Sequence, residues 1–130
     1  MPLQDRAGAV VYAKNLSCLS AFYSRVAGFS ISHSEADHVV LESSTLQLVV
    51  VAIPEHIASL IEIQSPPVRR ESTPLKLVLP VASLSAARVL AAQHGGQLDA
   101  EGREWEFQGS RVCDGQDPEG NVFQLRQNAL

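Results

Sequence analysis

Residues 114–127 read DGQDPEGNVFQLRQ. The centre of this stretch, Asp117-Pro118-Glu119-Gly120-Asn121, is a chain reversal. Pro118 presets φ at the second position of a type I turn, and Gly120 takes the left-handed conformation that closes a hairpin. The residues that follow alternate, with Val122, Gln124 and Arg126 on one face of a strand and Phe123 and Leu125 on the other. A glutamine at the middle of that strand needs a partner on the face to which it points.

Outward from this hairpin, one order of physical roles occurs twice. Aligning VVYAKNLSCLSAFYSRVAGFSI from Val10 with VLPVASLSAARVLAAQHGGQL from Val78 brings Asn15 onto Ser83, Leu16 onto Leu84, Ser17 onto Ser85 and Gly28 onto Gly96. Each copy has an apolar strand, a capping residue, an amphipathic helix and a glycine stop. Asn15 or Ser17 offers a side-chain oxygen to cap the first helix. Leu19, Phe22, Tyr23 and Val26 fall on one face of it, and Gly28 ends it. The second helix is predicted from Ser83 to His94, with Leu84, Ala87, Leu90 and Ala91 as its buried stripe and Gly95-Gly96 as its stop. Short strands follow each helix: FSISHS, DHVVLES and LQLVVVA after the first, and segments within GQLDA, EWEFQ, RVCDG and NVFQLRQ after the second. Whether GQLDA or EWEFQ holds the fourth strand stays open. The Pro-containing segment 53–73 connects the copies, and PEHIASLIE within it suits a short helix that starts at Pro54. The expectation is an α+β protein of one domain, residues 1–130. It is divided into a first βαβββ module at about 6–52, the connection at about 53–73 and a second module at about 74–130.

A chain of 130 residues can bury a proper core, and its composition is that of a globular protein. The net charge of −4 argues against a nucleic-acid partner. The basic pair Arg69-Arg70 sits in the connection, where a solvated loop accounts for it. Two cysteines far apart, Cys18 and Cys113, form neither a disulfide framework nor the paired spacing of a zinc site. Both read as packing residues. MPLQDRAGAV lacks the pattern of a signal peptide, and no apolar run approaches the roughly 20 residues of a membrane span. A cytoplasmic protein without a membrane partner is expected.

The repeat, with LSAFYSRVAGF in the first module and DPEGNVFQL in the second, resembles the vicinal oxygen chelate superfamily. That group includes glyoxalase I, bleomycin and fosfomycin resistance proteins and extradiol dioxygenases. The resemblance covers nearly the whole chain. It implies paired βαβββ modules that form an open, curved mixed-sheet barrel around a pocket, the glyoxalase/bleomycin resistance fold. It also implies frequent homodimers. In metal-using members, four pocket-facing strand positions supply His or Glu ligands. One lies seven residues before each helix cap, which counts back from Asn15 to Gly8 and from Ser83 to Lys76. The other lies in the last strand of each module, at Gln47 and Gln124.

Glycine has no ligand atom, an ammonium repels a divalent ion, and carboxamides are weak donors beside carboxylates and imidazoles. No cofactor is therefore expected, with a divalent metal as the alternative. Lys76 in a partly apolar pocket is a candidate general base, Schiff-base nucleophile or anion partner, against the simpler reading of a lysine reaching solvent at a strand end. Gln47 and Gln124 can share one polar ligand or bond each other across the pocket floor. Tyr12 shares a face with Gly8 and offers an aromatic wall with a phenolic donor. Trp105 suits a stacking platform at the pocket mouth, a dimer anchor or a partly buried structural aromatic. Glu104 and Glu106 read as solvated. His33, His38, His56 and His94 do not fall on the family's ligand positions. The expected function is metal-free binding of a small organic molecule by a homodimer. The alternative is a lyase- or isomerase-type enzyme of the same superfamily, with Lys76 catalytic, or a metal-dependent glyoxalase or dioxygenase relative.

Overall fold

The structure is a computed structural model that describes residues 6–128. The first residues of the N-terminal segment read above for a leader, and the last two of the second module, lie outside them. The first module runs β1 (Ala7–Ala13), α1 (Leu16–Ala27), β2 (Ser30–Ser34), β3 (His38–Glu42) and β4 (Leu46–Ala52). Its four-stranded sheet has the order β1-β4-β3-β2, with β1 parallel to β4 and the other pairs antiparallel. The short helix α2 (Glu55–Ala58) follows Pro54, where the proline ring is tolerated because no helical hydrogen bond is lost.

The second module runs β5 (Leu77–Val81), α3 (Leu84–Gln93), β6 (Gln97–Leu98), a 3-10 turn (Glu101–Arg103), β7 (Trp105–Phe107), β8 (Ser110–Gln116) and β9 (Val122–Asn128). Its sheet has the order β5-β9-β8-β6, and β7 also pairs with β8. GQLDA and EWEFQ thus both contribute a strand, each too short to declare itself by alternation. The Asn15 side chain accepts from the Cys18 N–H to cap α1, and Ser83 accepts from Ala86 to cap α3. Gly28 ends α1 at φ 74°.

The two sheets are not hydrogen-bonded to each other; they are joined through their helices. Leu19, Phe22, Tyr23 and Val26 of α1 lie in one buried cluster with Leu41, Leu48 and Val50 of the first sheet and with Leu79, Phe123 and Leu125 of the second. The Phe22 and Phe123 rings pack at a tilt of 54°, with centroids 5.6 Å apart. Burial of a side chain of this size stabilises by about 1.5–3 kcal/mol. One core therefore serves both modules from behind, and the opposite face of each sheet stays open. The sheets are open as expected, and among the described residues no strand of one pairs with a strand of the other.

The Asp117–Asn121 corner fastens the modules together. Gly120, at φ 86°, donates to the Asp117 carbonyl. Asp117 is fully buried and accepts from the Tyr23 hydroxyl at 2.7 Å, while its other oxygen accepts from the Glu119 and Asn121 N–H groups. Burial pushes the Asp117 carboxyl above its ordinary value, opposed by these donors, and burial beside Asp117 pushes Tyr23 well above its own. Glu119, also buried, accepts from the backbone N–H groups of Lys14 and Asn15 at 2.9 and 2.8 Å. These are donors at the start of α1 that no helical carbonyl can satisfy.

Candidate functional site

The register of the second sheet determines its open face. Val78 lies beside Gln124 and Pro80 beside Arg126. Asp114 lies opposite Gln124 and Val112 opposite Arg126, and Trp105 is opposite Val112. Residues paired across strands point the same way, so these side chains form rows on one surface.

A chain of polar contacts crosses those rows. The Lys76 ammonium, just before β5, meets Asp114 Oδ2 at 3.0 Å. Gln124 Nε2 donates to Asp114 Oδ1 at 3.2 Å, and Arg126 Nε donates to Gln124 Oε1 at 2.9 Å. The Arg126 guanidinium lies over the Phe107 ring, 4.9 Å from its centroid. Gln124 is 7% exposed, yet both ends of its amide are satisfied. This is why a glutamine suits the middle of β9: it accepts from a cation on one side and donates to a carboxylate on the other. Apolar side chains border the relay, with Val78, Trp105 and Phe107 each more than a third exposed.

The connection between the modules covers one end of this face. Gln116 Nε2 donates to the Pro67 carbonyl, and Arg69 grips both oxygens of Asp99 at 2.7 and 3.3 Å. A cleft of about 320 Å³ lies between this strap and the sheet, lined by Arg69, Arg70, Thr73, Lys76, Asp114 and Val122. Of the basic pair expected in a solvated loop, Arg69 is folded against the sheet by a carboxylate partner distant in sequence, whereas Arg70 is exposed.

On the first sheet, Gly8, Val10 and Tyr12 of β1 lie beside Gln47, Val49 and Val51 of β4. Glu42 lies opposite Gln47 and pairs with Arg6. Tyr12 is 65% exposed on this open face. Of the six candidate positions, Gly8, Tyr12 and Gln47 thus share one sheet, and Lys76, Trp105 and Gln124 share the other. The direct Gln47–Gln124 bond is not formed; Gln124 is engaged by Asp114 and Arg126 instead. As a donor set for a divalent cation, a glycine, two carboxamides and an ion-paired lysine do not fit. Among the described residues, no group of three or more His, Cys, Asp and Glu side chains is gathered as a metal would require.

Sequence reasoning missed Asp114 and did not single out Arg126 as a site residue. Counting back across the turn from Gln124 would have found Asp114. Glu104, read as solvated, has a nearly buried carboxylate that binds Arg88 at 2.6 Å and Arg111 at 2.9 Å. Burial opposes its charge, but the two arginines outweigh that and hold the carboxyl below its ordinary value. Cys113 is buried and Cys18 half-buried on α1. Burial pushes both thiols up, away from the reactive thiolate. No helix among the described residues is long and apolar enough to cross a membrane.

Comparison with known proteins agrees with this architecture. A search of curated proteins by sequence finds no match. A crystal structure of a glyoxalase/bleomycin resistance protein/dioxygenase family enzyme from Burkholderia phytofirmans PsJN superposes with a TM-score of 0.69 at 19% identity, covering 95% of this chain and 98% of that one. The bleomycin resistance determinant encoded on transposon Tn5 gives 0.57 at 23% identity, covering 97% and 99%. TnmS3, an antibiotic binding protein from Streptomyces sp. CB03234, gives 0.61 at 18% identity, covering 98% of both chains. At these identities the likeness is one of fold. The model of the glyoxalase-like domain family matches residues 8–126, nearly all of the repeat and both open faces. The chain belongs to the glyoxalase-like domain family, within the vicinal oxygen chelate superfamily.

Proposed function

We propose that this protein binds a small organic molecule without a metal, in a cavity completed when two chains bring an open first sheet against an open second sheet. The observation that carries this reading is the relay from Lys76 through Asp114 and Gln124 to Arg126, set among exposed Val78, Trp105 and Phe107. An ordered polar network inside an apolar surface is the composition of a ligand site. Val10 and Tyr12 on the first sheet supply a matching exposed apolar surface. Two of the structures similar in fold are described as an antibiotic binding protein and a bleomycin-binding protein complexed with bleomycin, which favours capture of a small molecule.

The test is a thermal-shift screen of metabolites and drugs, since a ligand of the folded state alone raises the melting temperature by mass action. Sedimentation and elemental analysis of protein purified without chelator accompany it. A stoichiometric, tightly held metal, or a monomer that retains full ligand affinity, overturns the corresponding part of the proposal. A second reading, a lyase- or isomerase-type enzyme, has the Lys76–Asp114 contact in its favour, because the two groups face one cleft. Lys76→Met separates the two: loss of turnover with binding retained marks an enzyme, and loss of binding marks capture.

A further inference from the structure

We propose that the molecule bound on the second sheet is a carboxylic acid with an aromatic body, and that Arg126 selects its acid group; this rests on the binding reading above. Lys76 is matched by Asp114. Arg126 has no acidic partner within ion-pair distance among the described residues, although the chain holds 14 Asp and Glu against 10 Lys and Arg. It is a permanent cation without a carboxylate partner, on a face where Lys76 and Asp114 compensate each other.

Its geometry is that of a receptor. Gln124 takes the Nε–H, and the Phe107 ring lies under the guanidinium plane. Both contacts hold the group in place and leave the Nη1–Nη2 edge without a hydrogen-bond partner among the described residues. That edge is the fork that binds a carboxylate through two parallel hydrogen bonds. Because the fork is fixed before any ligand arrives, little side-chain freedom is lost on binding.

The surroundings fix the remainder of the ligand. Trp105, Phe107 and Val78 are exposed by 40%, 43% and 43% on the same face, and Pro80 lies beside Arg126. Exposed ring faces next to an anion receptor suit a planar apolar body. A cationic ligand meets like charge here, and a neutral one leaves the fork unused. A phosphate dianion calls for a second free cation beside Arg126; Lys76 is engaged with Asp114, and Arg70, without an ion-pair partner among the described residues, lines the cleft under the strap, whose lining does not include Arg126.

The experiment is calorimetric titration of the full chain with benzoate, 2-naphthoate and indole-3-acetate, each against its amide of the same shape. The expected result is at least roughly tenfold tighter binding of one or more acids than of the matching amide, with that preference abolished in Arg126→Gln. Arg126→Lys keeps the charge and loses the fork; it is expected to weaken the acid more than the amide, and serves alone if the glutamine variant does not fold. Equal binding of acid and amide overturns this inference and leaves the binding reading standing. Binding by none of the six probes overturns this inference, while the binding reading is decided separately by the thermal-shift screen. An acid preference that survives in Arg126→Gln, with only the sedimentation changed, makes Arg126 a subunit contact and also overturns the inference.

Discussion

The Tyr23 hydroxyl, on the first helix, hydrogen-bonds Asp117, in the last turn of the chain, across 2.7 Å of fully buried space. The bond joins the two modules beside their shared core, with the Tyr23 ring edge-on to Phe22 and Phe123. Removing the hydroxyl with Tyr23→Phe leaves the ring in place and takes one donor from a buried carboxylate. The expected loss is about 1–2 kcal/mol by urea unfolding at neutral pH. Tyr23 is held well above its ordinary value in the fold, so its contribution is complete below about pH 10, where an unfolded tyrosine begins to ionise. It declines as the pH rises from there towards the folded value. The stability difference between wild type and Tyr23→Phe should therefore narrow in alkaline urea titrations; a constant difference would count against the buried bond.

Glu119 satisfies two backbone donors at the head of α1 from the other module. Glu119→Ala leaves both N–H groups without their acceptor and should cost roughly 1–3 kcal/mol. The measurement is chemical denaturation followed by helix circular dichroism, and an unchanged midpoint would show that water replaces the carboxylate at no cost.

Gly120 combines φ 86° with close packing: a Cβ placed there would stand 2.2 Å from the Val68 carbonyl oxygen. Gly120→Ala should lower stability by more than the roughly 1–2 kcal/mol of left-handed backbone strain alone. Differential scanning calorimetry beside Gly109→Ala checks this. Gly109 has a similar φ of 81° but no neighbour within 4 Å of the added methyl, so it isolates the strain from the collision.

Glu104 bridges Arg88 and Arg111, and its carboxyl is held below its ordinary value. A depressed folded value means that its stabilisation is present above about pH 4.5 and is lost as the pH falls through the lower folded value. Glu104→Gln should be less stable than wild type at pH 7, with the two curves converging in acid. Parallel curves down to pH 2 would remove the ionic contribution.

The hairpin and the repeat were legible in the sequence because they rest on local rules. A capping oxygen, a glycine at positive φ and a period of two or 3.6 each act within a few residues. Gln124 was found in the same way, by parity within β9. Asp114 and Arg126 were within reach of the same counting, but their significance comes from partners on other segments: Lys76 for Asp114 and the Phe107 ring for Arg126. The arrangement of the modules was not legible. The stripe of Leu19, Phe22, Tyr23 and Val26 announces a buried helix face without saying that it serves both sheets at once. Tyr23 and Asp117, or Arg69 and Asp99, meet because of that packing, and nothing in their own neighbourhoods marks them as partners.

Placing Gly8, Tyr12 and Gln47 on one sheet and Lys76, Gln124 and Arg126 on the other makes injuries to the two surfaces separable. In a pair of chains that close on each other, a subunit damaged only at Tyr12 and a mate damaged only at Arg126 still enclose one intact chamber, beside one doubly defective. Two variants that are inert alone then rescue each other when mixed, to about a quarter of the normal stoichiometry on random pairing and to half in the isolated mixed pair. A chamber private to a single chain permits no such rescue.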